Sequence, residues 1–503
     1  MLHLTWFDWI LVGLVPTISL LMGLYLRRSQ QKPSGWVDYF LARTKLSTTN
    51  TISNYVGANL VFTAIFLVLS LEGARRGMWV LSIPIAFFVG TLLLLYLYPK
   101  LVPFLEQGET LHQALGSVFD KGQTGWNTVR RWASLWTILA FVGGVGLEFY
   151  GGVLLLKWAG VPQLSSVTLA IILAFICATF TIVGGLRGIS KINTFLDGAA
   201  FLGIFIFFGL ILWTSYNSTG SLTPISTSEL SVTLTDNIIF TVGAFFIFVP
   251  LQLCALDTWQ RGVAWEKKKR IEVAGPLLFG AFLICVASFV AFTAGNYVRV
   301  NGLMKSDEHP LLTMMTNLEI PSSLIGFPLI GLIIAGFVAA ILSTADELLN
   351  CCGYAVLADF LNLPRSEEVD EETSKAYIKS GKFYTGVFAF VSAALAVGAL
   401  ALEKQITDIA NVAFSTQVVF IMPLLFAFYY KKAHKLHLSA LLAMLIAFLT
   451  ALIMTVLAWM QEPDEQSWID GASLVAFIAG LIVMVVGWGL TKLFVKKNEH
   501  VEE

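Results

Sequence analysis

Charged side chains are scarce in this 503-residue chain, at 13% against roughly 25% in an average soluble domain. A soluble protein of this length would need several domains, each covered by a polar surface. Instead 56% of the residues are hydrophobic and 38 are phenylalanine. We therefore expect the outer surface to face lipid. This excludes a soluble enzyme, a nucleic-acid-binding protein and a disordered scaffold.

Cysteine and histidine are also few. The five cysteines have neither the spacing of a zinc site nor that of an extracellular disulfide framework, and we interpret them as small buried hydrophobes. The six histidines lie outside the apolar interiors, which disfavours a membrane oxidase with intramembrane haem or copper ligands. No phosphate-binding loop, cofactor motif or nucleophile–base pair occurs in or near the apolar segments. We expect no enzymatic activity and no organic cofactor.

Apolar segments of about 20 residues, the length that crosses a membrane as a helix, recur along the chain. The thirteen predicted spans are residues 6–26, 52–71, 79–98, 132–156, 163–185, 192–214, 237–256, 272–295, 322–346, 383–402, 408–428, 437–460 and 470–491. The sequence therefore predicts an all-α polytopic membrane protein with 13 transmembrane helices.

Lysine and arginine are unevenly divided between the connecting loops, and they favour the cytoplasmic side. If the N-terminus is outside, all but six of the 32 lie on the cytoplasmic side; the six are Arg75, Arg76, Lys157, Arg299, Lys305 and Lys404. The pattern predicts an outside N-terminus and a cytoplasmic C-terminus in a plasma membrane, which we expect to be a bacterial inner membrane.

Predicted helices 2 and 7 share a glycine tripeptide, Val-Gly-Ala, centred on Gly57 and Gly243. The two positions are equivalent if helices 2–6 and 7–11 form halves of opposite polarity, as in many secondary transporters. A glycine weakens the helix by about 1 kcal/mol relative to alanine, and a freed carbonyl can coordinate a cation. Close helix packing is the alternative reading. The predicted units are a peripheral first helix (1–30), repeat 1 (36–214), repeat 2 (237–428) and two peripheral helices with a short tail (437–503).

Two hydroxyls, Ser343 and Thr344, stand together near the end of predicted helix 9. With the carbonyl of Ala340 and two carbonyls from an unwound helix 2, they would supply five oxygen ligands for an alkali cation. Alternatively, both hydroxyls bond back to the preceding helical turn. The next two acids, Asp346 and Glu347, are expected at the water interface.

Glu148 lies deep in predicted helix 4, where an acid costs a few kcal/mol. An intramembrane acid indicates a functional site, although a protonated or hydrogen-bonded packing residue is the alternative. If Glu148 is ionised and lines a cavity, it favours a substrate with an amino or hydroxyl group over a plain monocarboxylate.

Several motifs resemble those of the sodium:solute symporter family, over about residues 35 to 440. The most specific is 339–346, Ala-Ala-Ile-Leu-Ser-Thr-Ala-Asp, which is similar to the family's A-A-I-[ML]-S-[ST]-A-D run. Further similar segments are 38–46, 110–116, 184–188 (Gly-Gly-Leu-Arg-Gly), 257–261 (Asp-Thr-Trp-Gln-Arg), Pro423 and 431–433. The resemblance implies a LeuT-like 5+5 inverted-repeat core in helices 2–11. It also implies sodium-driven symport of a small organic solute, of sugar, amino acid or organic acid type, by alternating access.

The resemblance also implies particular site residues. Its main sodium site would use the carbonyls of Gly57, Leu60 and Ala340 and the hydroxyls of Ser343 and Thr344. Asn193 stands where many members have an aspartate of a second cation site, so we expect one coupled sodium and an altered second site. In this architecture the solute site lies near the bilayer midplane. Its candidates here are Asn59, Thr63, Glu148, Phe245, Phe248 and Gln417.

Two other classes remain open from the sequence. A proton-coupled carrier would titrate Glu148 or Asp197, and a transporter-like membrane sensor would work with a separate signalling partner. The expected partners are a small organic solute and the lipid bilayer, with no nucleic acid and no obligatory protein partner.

Overall fold

The computed structural model describes residues 4–29, 35–42, 47–107, 109–161, 164–219, 232–264, 270–304, 308–361, 369–401, 410, 414–460 and 466–499. Helices account for most of these residues, and no strand occurs among them. The helices are α1 (Trp6–Ser29), α2 (Trp36–Leu41), α3 (Thr48–Asn59), α4 (Leu69–Arg76), α5 (Ser82–Glu106), α6 (Leu111–Phe119), α7 (Val129–Trp158), α8 (Ser166–Thr219), α9 (Leu234–Cys254), α10 (Leu256–Ala264), α11 (Arg270–Val300), α12 (Pro310–Thr316), α13 (Leu329–Ala355), α14 (Glu371–Ala401), α15 (Ile421–Tyr429), α16 (His437–Met460) and α17 (Gln466–Glu499). The all-α prediction is confirmed.

Eleven helical stretches of the described chain are long and apolar enough to cross a membrane. The longest, Thr63–Glu106, contains a break at Gly77, whose φ of 59° and ψ of −133° are not helical. The segment Phe414–Tyr429 is apolar but shorter than a span. An integral, multi-pass membrane protein is therefore confirmed, whereas the count of thirteen helices stays a prediction.

The most deeply enclosed span is Leu329–Phe360, formed by α13 and the π-helical turn Val356–Phe360, with 83% of its apolar window buried. Helices α3, α7 and α8 pack around α13. By contrast, 17% of the window of α17 is buried. Apolar surface that no protein covers is the surface expected to face lipid. The centre of the molecule therefore lies where α13 meets α3 and α8.

The helical conformation is interrupted immediately after α3, which ends at Asn59. Leu60 has a non-helical ψ of 52°, and the helix resumes as a π-helical turn over Thr63–Val68. A broken helix leaves backbone N–H groups without partners, which is costly away from water. Here the buried carboxylate of Glu148 accepts the N–H groups of Phe62 (3.2 Å) and Thr63 (3.0 Å). Glu148 thus stabilises the interruption of this helix.

Helix α9 runs without interruption through Gly243, so of the two readings of this glycine the opening of the helix does not apply. A Cβ atom at Gly243 would lie 2.0 Å from the carbonyl oxygen of Asp470, which means that α17 crosses here at close range. The close-packing alternative therefore applies to Gly243. Helix α9 ends at Cys254. The next residue, Ala255, has an extended backbone with a φ of −88° and a ψ of 123°, and α10 follows directly.

Helix α8 contains a kink at Gly185, with a φ of 56° and a ψ of −179°. This left-handed φ favours glycine, and a Cβ atom there would lie 2.7 Å from the ring of Tyr39. The kink falls within the segment 184–188 in which a turn is expected. It redirects the second half of α8, which carries Asn193 and Asp197 to α13.

Candidate functional site

Four of the five predicted sodium-site residues come together where α13 crosses the end of α3. The hydroxyl of Thr344 donates to the carbonyl of Gly57 at 2.8 Å. The hydroxyl of Ser343 lies 3.3 Å from Asp197 Oδ1 and 3.5 Å from the carbonyl oxygen of Ala340. Thr344 therefore bonds across to another helix, and Ser343 is closer to α8 than to its own preceding turn.

Leu60, the fifth predicted residue, caps the broken end of α3. Its N–H donates to the carbonyl of Val56 at 2.7 Å, and its own backbone leaves the helical conformation. A carbonyl at such a break is released from the helical hydrogen-bond ladder. The carbonyls of Gly57 and Leu60 thus belong to the last turn before the interruption.

Asp346 and Glu347 lie inside this cluster, with 0% and 2% of their surface exposed, so their expected position at a water interface is wrong. The reason is that α13 continues to Ala355, two turns beyond these acids. The side-chain amide of Asn193 donates to Glu347 Oε1 at 3.1 Å and lies 3.5 Å from Asp346 Oδ1. A neutral amide at position 193 therefore faces two acids of α13.

One guanidinium joins the cluster from α10. Arg261 bonds to the carboxylate of Asp257 and to the carbonyl of Asn54, and it lies 3.9 Å from Glu347 Oε2. It is fully buried, and its guanidinium is 5.6 Å from the centre of the Tyr55 ring. The sequence indicated Arg261 through the segment 257–261, but it did not indicate that this arginine approaches Glu347 of α13.

The described residues of the cluster contain four carboxylates and one guanidinium. The carboxylates are Asp197, Asp257, Asp346 and Glu347, and the guanidinium is that of Arg261. Buried charge of one sign requires a counter-charge or protonation, because desolvation is costly. The acids do not converge on one point: in the described chain, no group of three or more His, Cys, Asp or Glu is arranged to hold a metal ion.

Several buried oxygen atoms of the cluster have no hydrogen-bond donor among the described residues. They are Asp197 Oδ2, Asp346 Oδ2, Asn193 Oδ1 and Asn54 Oδ1. A buried polar atom without a partner costs free energy. Oxygen atoms are the ligands that hard cations take. The cluster between α3, α8 and α13, which we call the acidic cluster, therefore presents oxygen atoms of the type that bind hard cations.

A pocket opens beside the break in α3, between α3, α5, α7, α9 and α11. It contacts three of the six predicted substrate residues, namely Asn59, Phe248 and Gln417. The other three do not line it. Glu148 and Thr63 serve the break instead, since the Thr63 hydroxyl donates to the carbonyl of Leu147 at 2.8 Å. Phe245 also lies outside the lining.

The described pocket wall is mostly aliphatic and aromatic. Its polar members are Asn59, Asp257, Ser288 and Gln417. The Asn59 amide already bonds to the carbonyl of Tyr55 (2.8 Å) and to Gln252 (3.1 Å). Ser288 donates within its own helix at 2.8 Å. Asp257 thus belongs to both sites, because it lines the pocket and binds the Arg261 that approaches Glu347.

No family model and no curated protein matches the chain. Solved structures do share its fold. A Na⁺-coupled sialic acid symporter in a substrate-bound, outward-open state superposes with a TM-score of 0.67 at 18% identity, over 96% of this chain and 98% of that chain. Two mutants of the Eremococcus coleocola manganese transporter superpose with a TM-score of 0.53 at 13% identity, over 93% of this chain and 96% of theirs. The chain therefore shares the fold of these transporters.

Proposed function

We propose that this protein is a secondary active transporter that couples the uptake of a small organic solute to sodium by alternating access. The observation that carries the proposal is the 2.8 Å contact between the Thr344 hydroxyl and the Gly57 carbonyl at the break in α3. Two further oxygen groups, Ser343 Oγ and the Ala340 carbonyl, lie beside it. The fold shared with a Na⁺-coupled symporter supports the same coupling ion.

In this mechanism, sodium binds the carbonyls of Gly57, Leu60 and Ala340 and the hydroxyls of Ser343 and Thr344. The ion then holds α3 against α13 and stabilises the state in which the pocket beside the break accepts solute. A coupling free energy of roughly 1–3 kcal/mol between sodium and solute suffices, and each must strengthen binding of the other equally. The amide of Asn193 donates a hydrogen bond to Glu347 of α13. Because this neutral amide stands where an aspartate of a second cation site is expected, the bond supports one coupled sodium and an altered second site.

The proposal includes the predicted topology. Thirteen spans, with the N-terminus outside and the C-terminus in the cytoplasm, are supported by the break at Gly77 between α4 and α5 and by the lysine and arginine distribution. Two inverted repeats, over 36–214 and 237–428, would place the interruptions after α3 and after α9 in matching helices.

A proton-coupled carrier is the second candidate, and the acidic cluster favours it. Asp197, Asp346 and Glu347 are buried, and of these three the guanidinium of Arg261 approaches Glu347, so one of the acids could carry a proton through the transport cycle. Glu148 is a weaker candidate, because two backbone N–H groups occupy its carboxylate. Uptake into proteoliposomes driven by a sodium gradient at equal pH, or by a pH gradient at equal sodium, separates the two carriers.

Sodium binding can be tested before the solute is known. We expect the purified full-length protein to have a higher thermal stability in sodium chloride than in potassium or choline chloride of equal ionic strength, since a ligand of the native state stabilises it. The Ser343→Ala/Thr344→Ala variant should lose this sodium-specific gain. Thr450→Ala is the matched control, because its hydroxyl donates to the Ile446 carbonyl within α16. A sodium-specific gain that survives in the double variant rejects the site.

A further inference from the structure

We propose that the pocket beside the break in α3 binds a small amine, with a protonated amino group and a compact aromatic or branched aliphatic body. This inference names the substrate class of the proposed transporter and therefore rests on the proposed function. It depends on two features of the pocket, namely the apolar character of its wall and the sign of its charge.

Apolar side chains form most of the described wall. Aromatic and branched members include Ile65, Phe87, Phe141, Phe248, Leu251 and Phe414. The rings of Phe248 and Phe414 have their centres 5.8 Å apart. Such a wall favours an apolar ligand body, because burial removes that surface from water. It disfavours a sugar, whose many hydroxyl groups would find few free partners once Asn59 and Ser288 are committed to other bonds.

The charge of the wall is negative. Of the described lining residues, Asp257 is the only ionisable one, and none is Lys, Arg or His. Two buried guanidinium groups lie behind the wall, and both are committed to acids. Arg261 bonds to Asp257 and Asn54, with Glu347 beyond it, and Arg76, behind Phe240, bonds to Glu72 and Asp470. Asp257, Arg261 and Glu347 together carry one excess negative charge when all are ionised. A carboxylate ligand would therefore enter beside an acid with no free cation, whereas an ammonium group gains an opposite charge.

Two lining groups can accept hydrogen bonds from an ammonium group. Asp257 binds Arg261 through Oδ2, and a carboxylate has acceptor capacity beyond one such bond. Gln417 is 7% exposed and lines the pocket without a hydrogen bond to another described residue. The faces of Phe248 and Phe414 can add cation–π attraction. The acid that selects an amino group is thus Asp257, whereas the sequence pointed to Glu148.

A matched series of probes tests the inference on the full-length protein in sodium chloride. 2-Phenylethylamine and 3-phenylpropionate carry the same ring and differ in the sign of their charge, and glucose and N-acetylneuraminic acid represent sugars. We expect calorimetric binding of 2-phenylethylamine and of 3-methylbutylamine, at least tenfold weaker binding of 3-phenylpropionate, and no binding of either sugar. Preference for the carboxylate or a sugar, or no binding of either amine, overturns the proposal.

Variants then test whether Asp257 is the acid that binds the ammonium group. Asp257→Asn should weaken binding of 2-phenylethylamine at least tenfold, and Asp370→Asn, at an exposed position before α14, should leave it unchanged. If loss of the Arg261 partner prevents folding of the first variant, Gln417→Leu supplies the second measurement, with weaker amine binding expected. Equal affinity of Gln417→Leu and wild type would contradict the assignment of Gln417.

The failure of this inference and that of the proposed function are distinguishable. If an amine binds equally strongly in sodium chloride and in potassium chloride, the proposed substrate class is supported and sodium coupling is rejected. If sodium stabilises the protein through Ser343 and Thr344 but a sugar or carboxylate binds instead of an amine, sodium coupling is supported and the proposed substrate class is rejected.

Discussion

The hydroxyl of Thr344 donates a 2.8 Å hydrogen bond to the carbonyl of Gly57. This bond joins the middle of α13 to the last turn of α3, although the two residues are separated by 287 positions. A carbonyl near a helix break and a hydroxyl from a packed neighbour can both turn toward a cation placed between them. The contact therefore links the position of α3 to occupancy of the proposed sodium site.

Gly57→Ala tests this link. The added Cβ would lie 3.0 Å from Asn193 Nδ2, so this amide would have to shift, and 3.4 Å from Ser343 Oγ, which is van der Waals contact. We expect the sodium concentration for half-maximal stabilisation to rise about tenfold, which corresponds to ~1.4 kcal/mol. Gly198→Ala on α8 is the control, since its added Cβ has no neighbour within 4 Å. Identical sodium titrations of the two variants would contradict the assigned role of Gly57.

Glu148→Ala should destabilise the protein without changing which solutes bind. The alanine leaves the N–H groups of Phe62 and Thr63 without their acceptor, at a cost of roughly 1–3 kcal/mol for each buried group. Glu148→Gln keeps one acceptor oxygen and should lower the thermal unfolding temperature by less. If the glutamine variant is as unstable as the alanine variant, or if amine selectivity changes, Glu148 has another role.

Arg76→Met should be strongly destabilising. Arg76 bonds to Glu72 at 2.6 Å and to Asp470 at 2.7 Å, so it ties α4 to α17, and all three side chains are buried. Removal of the guanidinium leaves the buried Asp470 without its ion-pair partner and Glu72 with only the longer, 3.4 Å contact to Arg75, which costs roughly 3–5 kcal/mol.

The matched control for Arg76→Met is Lys375→Met. Its ion pair with Glu371 is on the surface, with 63% and 79% of the two side chains exposed, and such pairs contribute about 1 kcal/mol at most. We expect thermal unfolding in detergent to separate the two variants clearly. Similar unfolding temperatures would show that the buried triad does not hold α4 to α17.

Acidic pH should destabilise the folded protein through protonation of His309. Burial lowers the pKa of His309 to about 4 in the folded chain, below its ordinary value of about 6.5. Between pH 6.5 and pH 4 the unfolded chain binds a proton at His309 that the folded chain does not bind. The free energy of unfolding is therefore unaffected by His309 above about pH 6.5 and decreases as the pH falls toward 4. The loss should reach roughly 3 kcal/mol.

Thermal unfolding at stepped pH values measures this contribution. The His309→Gln variant should show a smaller decrease in unfolding temperature between pH 7 and pH 5 than the wild type. A parallel decrease in both proteins would assign the pH dependence to other groups.

The glycine pattern illustrates the limit of local sequence. Gly57 and Gly243 stand in the same Val-Gly-Ala tripeptide, yet α3 ends just after Gly57 while α9 continues through Gly243. The difference lies in the neighbours: Gly57 faces Asn193 and Ser343, whereas Gly243 lies under the backbone of Asp470. Neither set of neighbours can be read from the tripeptide, because each comes from a distant part of the chain.

The buried acidic residues show the same limit of what local sequence can predict. An acid in an apolar helix indicates a special role, and Glu148, Asp346 and Glu347 are all buried. Which role each takes depends on what faces it. Glu148 meets backbone N–H groups at a helix break, Glu347 meets Asn193 and Arg261, and Asp257 reaches the pocket.

The amino-acid sequence alone determined that this chain is a helical, multi-pass membrane protein, because the length and apolarity of each segment decide whether it can be buried in lipid. It also indicated Ser343 and Thr344, since two adjacent hydroxyls within an apolar helix are a local feature. Only the tertiary structure decided where α3 breaks, which acids surround Asn193 and which carboxylate lines the pocket. These depend on contacts between residues far apart in the chain, such as the 85 positions between Thr63 and Glu148 and the 154 between Asn193 and Glu347, and their free energy depends on the packing of whole helices.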